Sequence, residues 1–269
     1  MTPASCTAAY FTGAGTTRAI TERFVAAIEA AGIPVRAVDV TQAGSDVPAF
    51  GPDDLAVFAV PSYGGRVPAP ALAQFARCEG HDTPAVLIVT FGNRAVDDTF
   101  LELADTVRAH GFIPVALGAI VAHHSLMIDV AQGRPDAADL AATDELARKV
   151  LSKLAAVANV RDAELTDIPG NHPYRDFHGV PFRAQADPAR CTGCGACARQ
   201  CPAAAIDPAN PTATDADACI TCMRCITVCP AGARSLTGGD ALVAQRAAFA
   251  ERLAPRVESY TVLQRNNIC

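Results

Sequence analysis

The sequence predicts two folded parts: an α/β doubly wound, five-stranded parallel sheet over residues 1–158, and a small α+β domain organised around cysteines. Three observations predict this. Short apolar runs alternate with amphipathic stretches through residues 1–158. Eight of the eleven cysteines crowd into residues 191–229. Half of the 269 residues are hydrophobic and only 19% are charged, which supplies a sizeable core and suits one large and one small domain.

The strands are read at Ser5–Phe11, Val35–Val40, Leu55–Pro61, Ala85–Phe91 and Pro114–Val121. Each is short and apolar enough to be covered on both faces, the mark of a parallel sheet. Helices are expected near Thr17–Ala31, Pro68–Cys78, Arg94–His110 and Pro135–Ala158. In the first, Ile20, Phe24, Ala27, Ile28 and Ala31 keep one apolar stripe, ended by Gly32. Five strands and four helices suit a flavodoxin-like domain in strand order 2-1-3-4-5. Residues 159–182, mixed in charge and poor in periodicity, read as a linker. Residues 183–240 hold the cysteine domain. Residues 241–269 read as a C-terminal helix, Ala241–Leu253 stopped by Pro255, and a tail that packs back on a domain.

A ligand in such a sheet sits outside the carboxyl ends of the strands. After the first strand, Thr12, Gly13, Ala14, Gly15, Thr16 and Thr17 bring hydroxyls and backbone amides to a helix N-terminus, which suits a phosphate. The Gly-Lys-Ser/Thr ending of a Walker loop is missing. After the third strand come Ser62, Tyr63, Gly64 and Gly65; after the fourth come Phe91, Gly92, Asn93 and Arg94. These fit loops that bind an isoalloxazine ring: Tyr63 to stack, Gly64 and Gly65 to let a peptide rotate toward N5, Asn93 and nearby amides to meet the pyrimidine edge. The cofactor expected is FMN. The plain alternative is that Tyr63 closes a loop and Phe91 fills the core.

Residues 191–202 read Cys-Thr-Gly-Cys-Gly-Ala-Cys-Ala-Arg-Gln-Cys-Pro, and residues 219–230 read Cys-Ile-Thr-Cys-Met-Arg-Cys-Ile-Thr-Val-Cys-Pro. Both match C-x2-C-x2-C-x3-C-P, the bacterial ferredoxin run. Three thiolates at two-residue spacing cap three irons of one cubane, and Gly193 and Gly195 allow the close turns. The fourth cysteine of each run ligates the other cluster. One 4Fe-4S cluster is therefore expected on Cys191, Cys194, Cys197 and Cys229, the second on Cys201, Cys219, Cys222 and Cys225. A pair of zinc sites is the competing reading, but zinc needs only two C-x2-C pairs and leaves the repeated Cys-Pro ending unexplained.

Tyr10 to Thr17, Gly92-Asn93-Arg94, Gly118 to Ser125 with its His124-Ser125 pair, and Ile168-Pro169-Gly170-Asn171 together resemble the flavodoxin-ferredoxin fusion family. The resemblance covers nearly the whole chain. It implies a flavodoxin-like region ahead of a ferredoxin-type module with two clusters.

The net charge of −6 falls entirely in residues 1–158, which disfavours nucleic acid and suits a partner with a basic patch. No apolar run is long enough to span a membrane and no signal peptide is visible, so a cytoplasmic location is expected. His123 and His124 follow the fifth strand, where a ligand could reach them, and receive no catalytic role. Asp97-Asp98 reads as the acidic first turn of a helix. Cys6 and Cys78 read as packing residues, and Cys269 as a frayed end. The expected function is electron transfer between two 4Fe-4S clusters and FMN, with redox proteins as partners. The alternatives are an FMN-dependent oxidoreductase acting on a nicotinamide or small substrate, and a flavin-free, cluster-bearing subunit of a larger reductase. An electron carrier is preferred over a substrate-converting enzyme.

Overall fold

The computed structural model describes residues 1–264; the expectation for Cys269 lies outside them. Five parallel strands form the sheet: β1 (Ser5–Tyr10), β2 (Val35–Asp39), β3 (Asp54–Pro61), β4 (Thr83–Phe91) and β5 (Phe112–Val121). Helices α1 (Thr16–Glu29), α2 (Ala69–Phe75), α3 (Thr99–Arg108) and α4 (Ala137–Ala155) connect and flank them. The order β2-β1-β3-β4-β5 is the flavodoxin-like one, with its switch point between β1 and β3.

Alternation along the strands fills two cores. On β3, Leu55, Val57 and Ala59 face α1 and α4 with Ile20, Phe24, Leu146 and Val150, while Ala56, Phe58 and Val60 face Phe75, Phe100 and Leu103. Both faces of the strands are covered, so their apolar runs are nearly continuous.

The smaller part pairs β6 (Arg183–Ala186) antiparallel with β7 (Arg234–Thr237) and carries two one-turn helices, α5 (Ala196–Arg199) and α6 (Arg224–Thr227). After it, α7 (Gly239–Arg252) leads to β8 (Tyr260–Val262). Strand β8 joins the main sheet beside β5, antiparallel, making six strands where five were expected. Three residues of mixed polarity give no local strand signal; the pairing comes from the open edge of β5.

Two expectations need correction. The helix read at Arg94–His110 begins only at Thr99, because Asn93 (φ 58°) and Asp97 (φ 47°) are left-handed and turn the chain first. Residues 159–182 are not a free spacer: Val160, Ala163, Leu165 and Ile168 are buried in the two cores, so the segment straps along the large domain. Among the described residues no helix is long and apolar enough to cross a membrane.

Candidate cofactor sites

The loop after β1 turns into α1 through Gly15, whose φ of 98° only glycine adopts cheaply. No side chain caps α1 and no acidic residue occupies its first turn, so its leading N–H groups and positive dipole end remain available to an anion. Thr12 shapes the loop: its Oγ1 accepts from Gly15 N–H (3.0 Å), and its N–H donates to Thr41 Oγ1 (2.9 Å). Thr17 Oγ1 pairs with Thr90 Oγ1 at 2.8 Å, tying the helix start to β4. Thr12, Gly13, Ala14, Thr16 and Thr17 line one cleft with Phe91 and Gly92. Gly15 is the turn behind that cleft rather than part of its wall.

The cleft shares Ser62, Tyr63, Gly92, His124 and Ser125 with a larger cavity of about 380 Å³. That volume suits a planar ring system. Gly64, Gly65 and Arg94 line it from the large domain. The loop carrying Tyr63 is anchored by the buried Glu102 carboxylate, which accepts from Arg66 Nε (2.9 Å), Arg66 Nη2 (2.5 Å) and Val67 N–H (2.8 Å). Opposite stand residues the sequence reading left out. Phe177 comes from the strap, Ile220 and Thr221 from the second cysteine loop, and Gln245, Phe249 and Arg252 from α7. Phe177 packs so closely on Gly64 that a Cβ there would lie 2.2 Å from its ring. In the sequence it is one of three aromatics, with Tyr174 and Phe182, in the segment read as a linker.

Asn93 does not line this cavity. Its Nδ2 donates to the carbonyls of Leu253 (2.8 Å) and Pro255 (2.9 Å), and its Oδ1 accepts from Val257 N–H (3.0 Å). The expected pyrimidine-edge residue is instead a clamp on the C-terminal segment, because all its hydrogen-bonding groups are consumed there. Asp97 and Asp98 are likewise more than an acidic first turn. Asp97 pairs with Arg94 and Arg175, and Asp98 accepts from Asn171 N–H (2.9 Å) and Arg175 N–H (2.7 Å), which docks the strap.

His124 sits at the junction of cleft and cavity, against Gly92 and edge-on to Phe249. Its Nδ1 accepts from the N–H groups of Met127 (3.2 Å) and Leu126 (3.3 Å). Burial first, then the neighbouring charges of His123 and Arg94, lower its pKa to about 4. The ring is therefore neutral near pH 7, with its proton on Nε2. His123 is exposed and bonds Ile128 O through Nε2 (2.7 Å).

The cysteines fall into two sets. Cys191, Cys194, Cys197 and Cys229 line one cavity; Cys201, Cys219, Cys222 and Cys225 line another. In each cavity three cysteines of one run meet the last cysteine of the other. Gly193 and Gly195 both have φ of 68°, and their counterparts in the second run, Thr221 (53°) and Met223 (65°), adopt the same left-handed turn. Backbone N–H groups point at the sulfurs: Ala205 to Cys201 and Ala233 to Cys229, each at 3.3 Å, and Thr221 to Cys219 at 3.4 Å. Among the described residues no group of three or more His, Cys, Asp or Glu is placed to hold a single metal ion.

Residues 183–230 match the family model of the 4Fe-4S dicluster domain. The matched segment, the cysteine module, contains all eight clustered cysteines. No curated protein matches the chain. Among solved structures the chain is similar to a flavodoxin of Streptococcus pneumonia TIGR4, at 15% identity and TM-score 0.39, covering 56% of this chain and 99% of that one. A flavodoxin from the domain Archaea has 14% identity, TM-score 0.39 and the same coverage. Megasphaera elsdenii flavodoxin has 17% identity and TM-score 0.37, covering 55% of this chain and 98% of that one. The flavodoxin-like fold rests on the strand order, not on these likenesses.

The module docks through a small apolar cluster in which Met223 meets Leu126, Met127 and Val130, bordered by Phe249 and Leu253 of the C-terminal segment. Gln42 Nε2, from the loop after β2, also donates to Arg199 O (2.9 Å). Cys222, a buried ligand candidate, has its carbonyl against Gly13 of the β1 loop. Cys194, from the other set, is exposed. Burial keeps Cys6 (about 12) and Cys78 (about 11) protonated as packing thiols.

Proposed function

We propose that the chain relays single electrons between two 4Fe-4S clusters, held in the dicluster module, and an FMN held at the carboxyl edge of the sheet. When bound, the clusters supply one-electron exchange and the flavin joins it to two-electron chemistry. The N-terminus of α1, with Thr16 and the turn of Thr12 to Ala14, would hold the phosphate. Tyr63, Gly64, Gly65, Gly92 and Arg94 would form one side of the ring site, and Phe249 and Thr221 the other. His124, neutral and fixed in one tautomer, would present its Nε2–H to an acceptor at the junction.

One observation carries this reading. Ile220 and Thr221, which lie between two ligand candidates of the second set, form a wall of the ring cavity. A ring there would stand next to that cluster, the arrangement short-range electron exchange needs. The first set, through its exposed Cys194, would then face an outside redox protein. Anaerobic quantitation of the purified, reconstituted chain tests the reading: about eight irons and one FMN per chain are expected. A chain that takes up iron but no flavin under saturating FMN would reduce it to a dicluster carrier.

A further inference from the structure

The two cysteine runs continue alike: Cys201-Pro202-Ala203-Ala204-Ala205-Ile206 and Cys229-Pro230-Ala231-Gly232-Ala233-Arg234. Their backbones match. Ala204 (φ 50°) and Gly232 (φ 55°) make the same left-handed turn, and Ala205 and Ala233 donate to the preceding cysteine sulfur at the same 3.3 Å. Ile206 and Arg234 therefore occupy equivalent places. Each is almost fully buried, and each lines one cluster cavity: Ile206 beside Cys201, Cys219, Cys222 and Cys225, Arg234 beside Cys191, Cys194, Cys197 and Cys229. Where one half of the repeat has an apolar side chain, the other has a cation.

That cation has no anionic hydrogen-bond partner among the described residues. Arg234 Nη1 donates to Ala184 O (3.0 Å) and Thr214 Oγ1 (2.9 Å), and Nη2 to Pro211 O (2.6 Å) and Ala213 O (3.2 Å). Its Nε is buried with no partner among the described residues. A guanidinium taken out of water without a counter-charge is strongly disfavoured. A cubane held by four thiolates is a net anion, and every electron it accepts adds to that charge. The guanidinium also reaches the second cavity, because Ala184 and Thr214, which its Nη1 bonds, form part of that cavity's wall. Arg234 thus stands between the two cysteine sets, in an interior where charges interact strongly.

We infer that Arg234 is the resident counter-charge of the clusters, favouring their reduced state and setting them at a higher potential than an apolar residue there would. The inference rests on the iron-sulfur reading of the two cavities. Cluster potentials follow net charge and hydrogen bonds to sulfur, and Arg234 contributes to the first.

Anaerobic redox titration of the full-length, cluster-loaded chain, followed by electron paramagnetic resonance, tests it. Arg234→Gln keeps amide donors but removes the charge; Arg234→Lys keeps the charge. At the potential where the wild-type clusters are half reduced, Arg234→Gln should show a reduced-to-oxidised ratio at least tenfold lower, and Arg234→Lys a ratio within about threefold of wild type. If Arg234→Gln does not load iron, Arg234→Met takes its place with the same expectation. An unchanged midpoint in the uncharged variant overturns the inference, as does a lysine variant shifted as far as the glutamine one, because the side chain would then act through shape. Wild-type protein that loads no iron-sulfur cluster overturns the underlying reading itself.

Discussion

His124 illustrates how a few contacts decide a side chain's state. Two backbone N–H groups point at Nδ1 and burial removes water, so the ring stays neutral down to about pH 4 in the folded chain. In the unfolded chain it protonates near pH 6.5. Between these values the unfolded state binds more protons than the native one, so stability rises with pH across that window and falls as pH drops from 6.5 to 4. The contribution approaches about 3 kcal/mol at the acid end. His124→Gln keeps an acceptor for the Leu126 and Met127 amides but does not titrate. Urea unfolding of both proteins at pH 7, 6, 5 and 4 should show the wild type losing its advantage as pH falls. A stability difference that stays constant over that range would remove the buried imidazole from the account. The second cysteine run makes a related point, because Met223 occupies a left-handed turn for which the first run uses Gly195. The strain is balanced by its side chain, which docks the module against Leu126, Met127 and Val130.

Among elements, the last strand has little sequence signal of its own and is held in place by the residues ahead of it. Residues ahead of β8 are pinned to α4 through a buried ion pair: Arg134 engages both oxygens of Asp139, which is fully buried, and Arg134 Nη1 donates to Val257 O (3.2 Å). Ser259 Oγ donates to Asp139 Oδ1 (2.6 Å) and accepts from Val121 N–H (2.9 Å), so the end of β5, the start of α4 and the approach to β8 share one polar knot. Strand β8 also covers the edge of β5, which would otherwise offer an unpaired ladder to another chain. Arg134→Met leaves the Asp139 carboxylate buried without its cation and should cost about 3–5 kcal/mol in chemical denaturation. A loss below about 1 kcal/mol would mean that the knot does not hold the C-terminal segment. The strap of residues 159–182 is held by a similar device, Asp98 accepting from Asn171 and Arg175.

For the whole molecule, the important surface is the one between the cysteine module and the carboxyl edge of the sheet. Gly13 lies on it. Its φ is not left-handed, so alanine meets no backbone penalty there, but a Cβ would lie 2.2 Å from the Cys222 carbonyl oxygen and 2.5 Å from Tyr63 Oη. Gly13→Ala should therefore load iron normally yet lose about 1–3 kcal/mol of stability, the usual cost of overpacking. A variant as stable as wild type would show that the module does not rest on the β1 loop. The same surface would order the proposed relay, with exposed Cys194 away from the ring-sized cavity and the loop of Ile220 and Thr221 against it. The cavity itself is completed by Phe177 and Phe249, so the ring site belongs to both halves of the chain.

The sequence by itself determined the doubly wound sheet, the two repeated four-cysteine runs and the Gly/Thr-rich turn before α1. Each of these is written in local spacing: strand periodicity, C-x2-C-x2-C-x3-C-P, and a Gly/Thr-rich strand-to-helix turn. Only the tertiary structure decided that Asn93 clamps Leu253 and Pro255, 160 and 162 residues away, instead of meeting a cofactor. It also decided that Phe177 and α7 close the ring cavity, that β8 joins the sheet, and that Arg234 is buried between the two cysteine sets. These contacts join segments far apart in the chain, and burial and hydrogen-bond partners exist only once the two halves have packed.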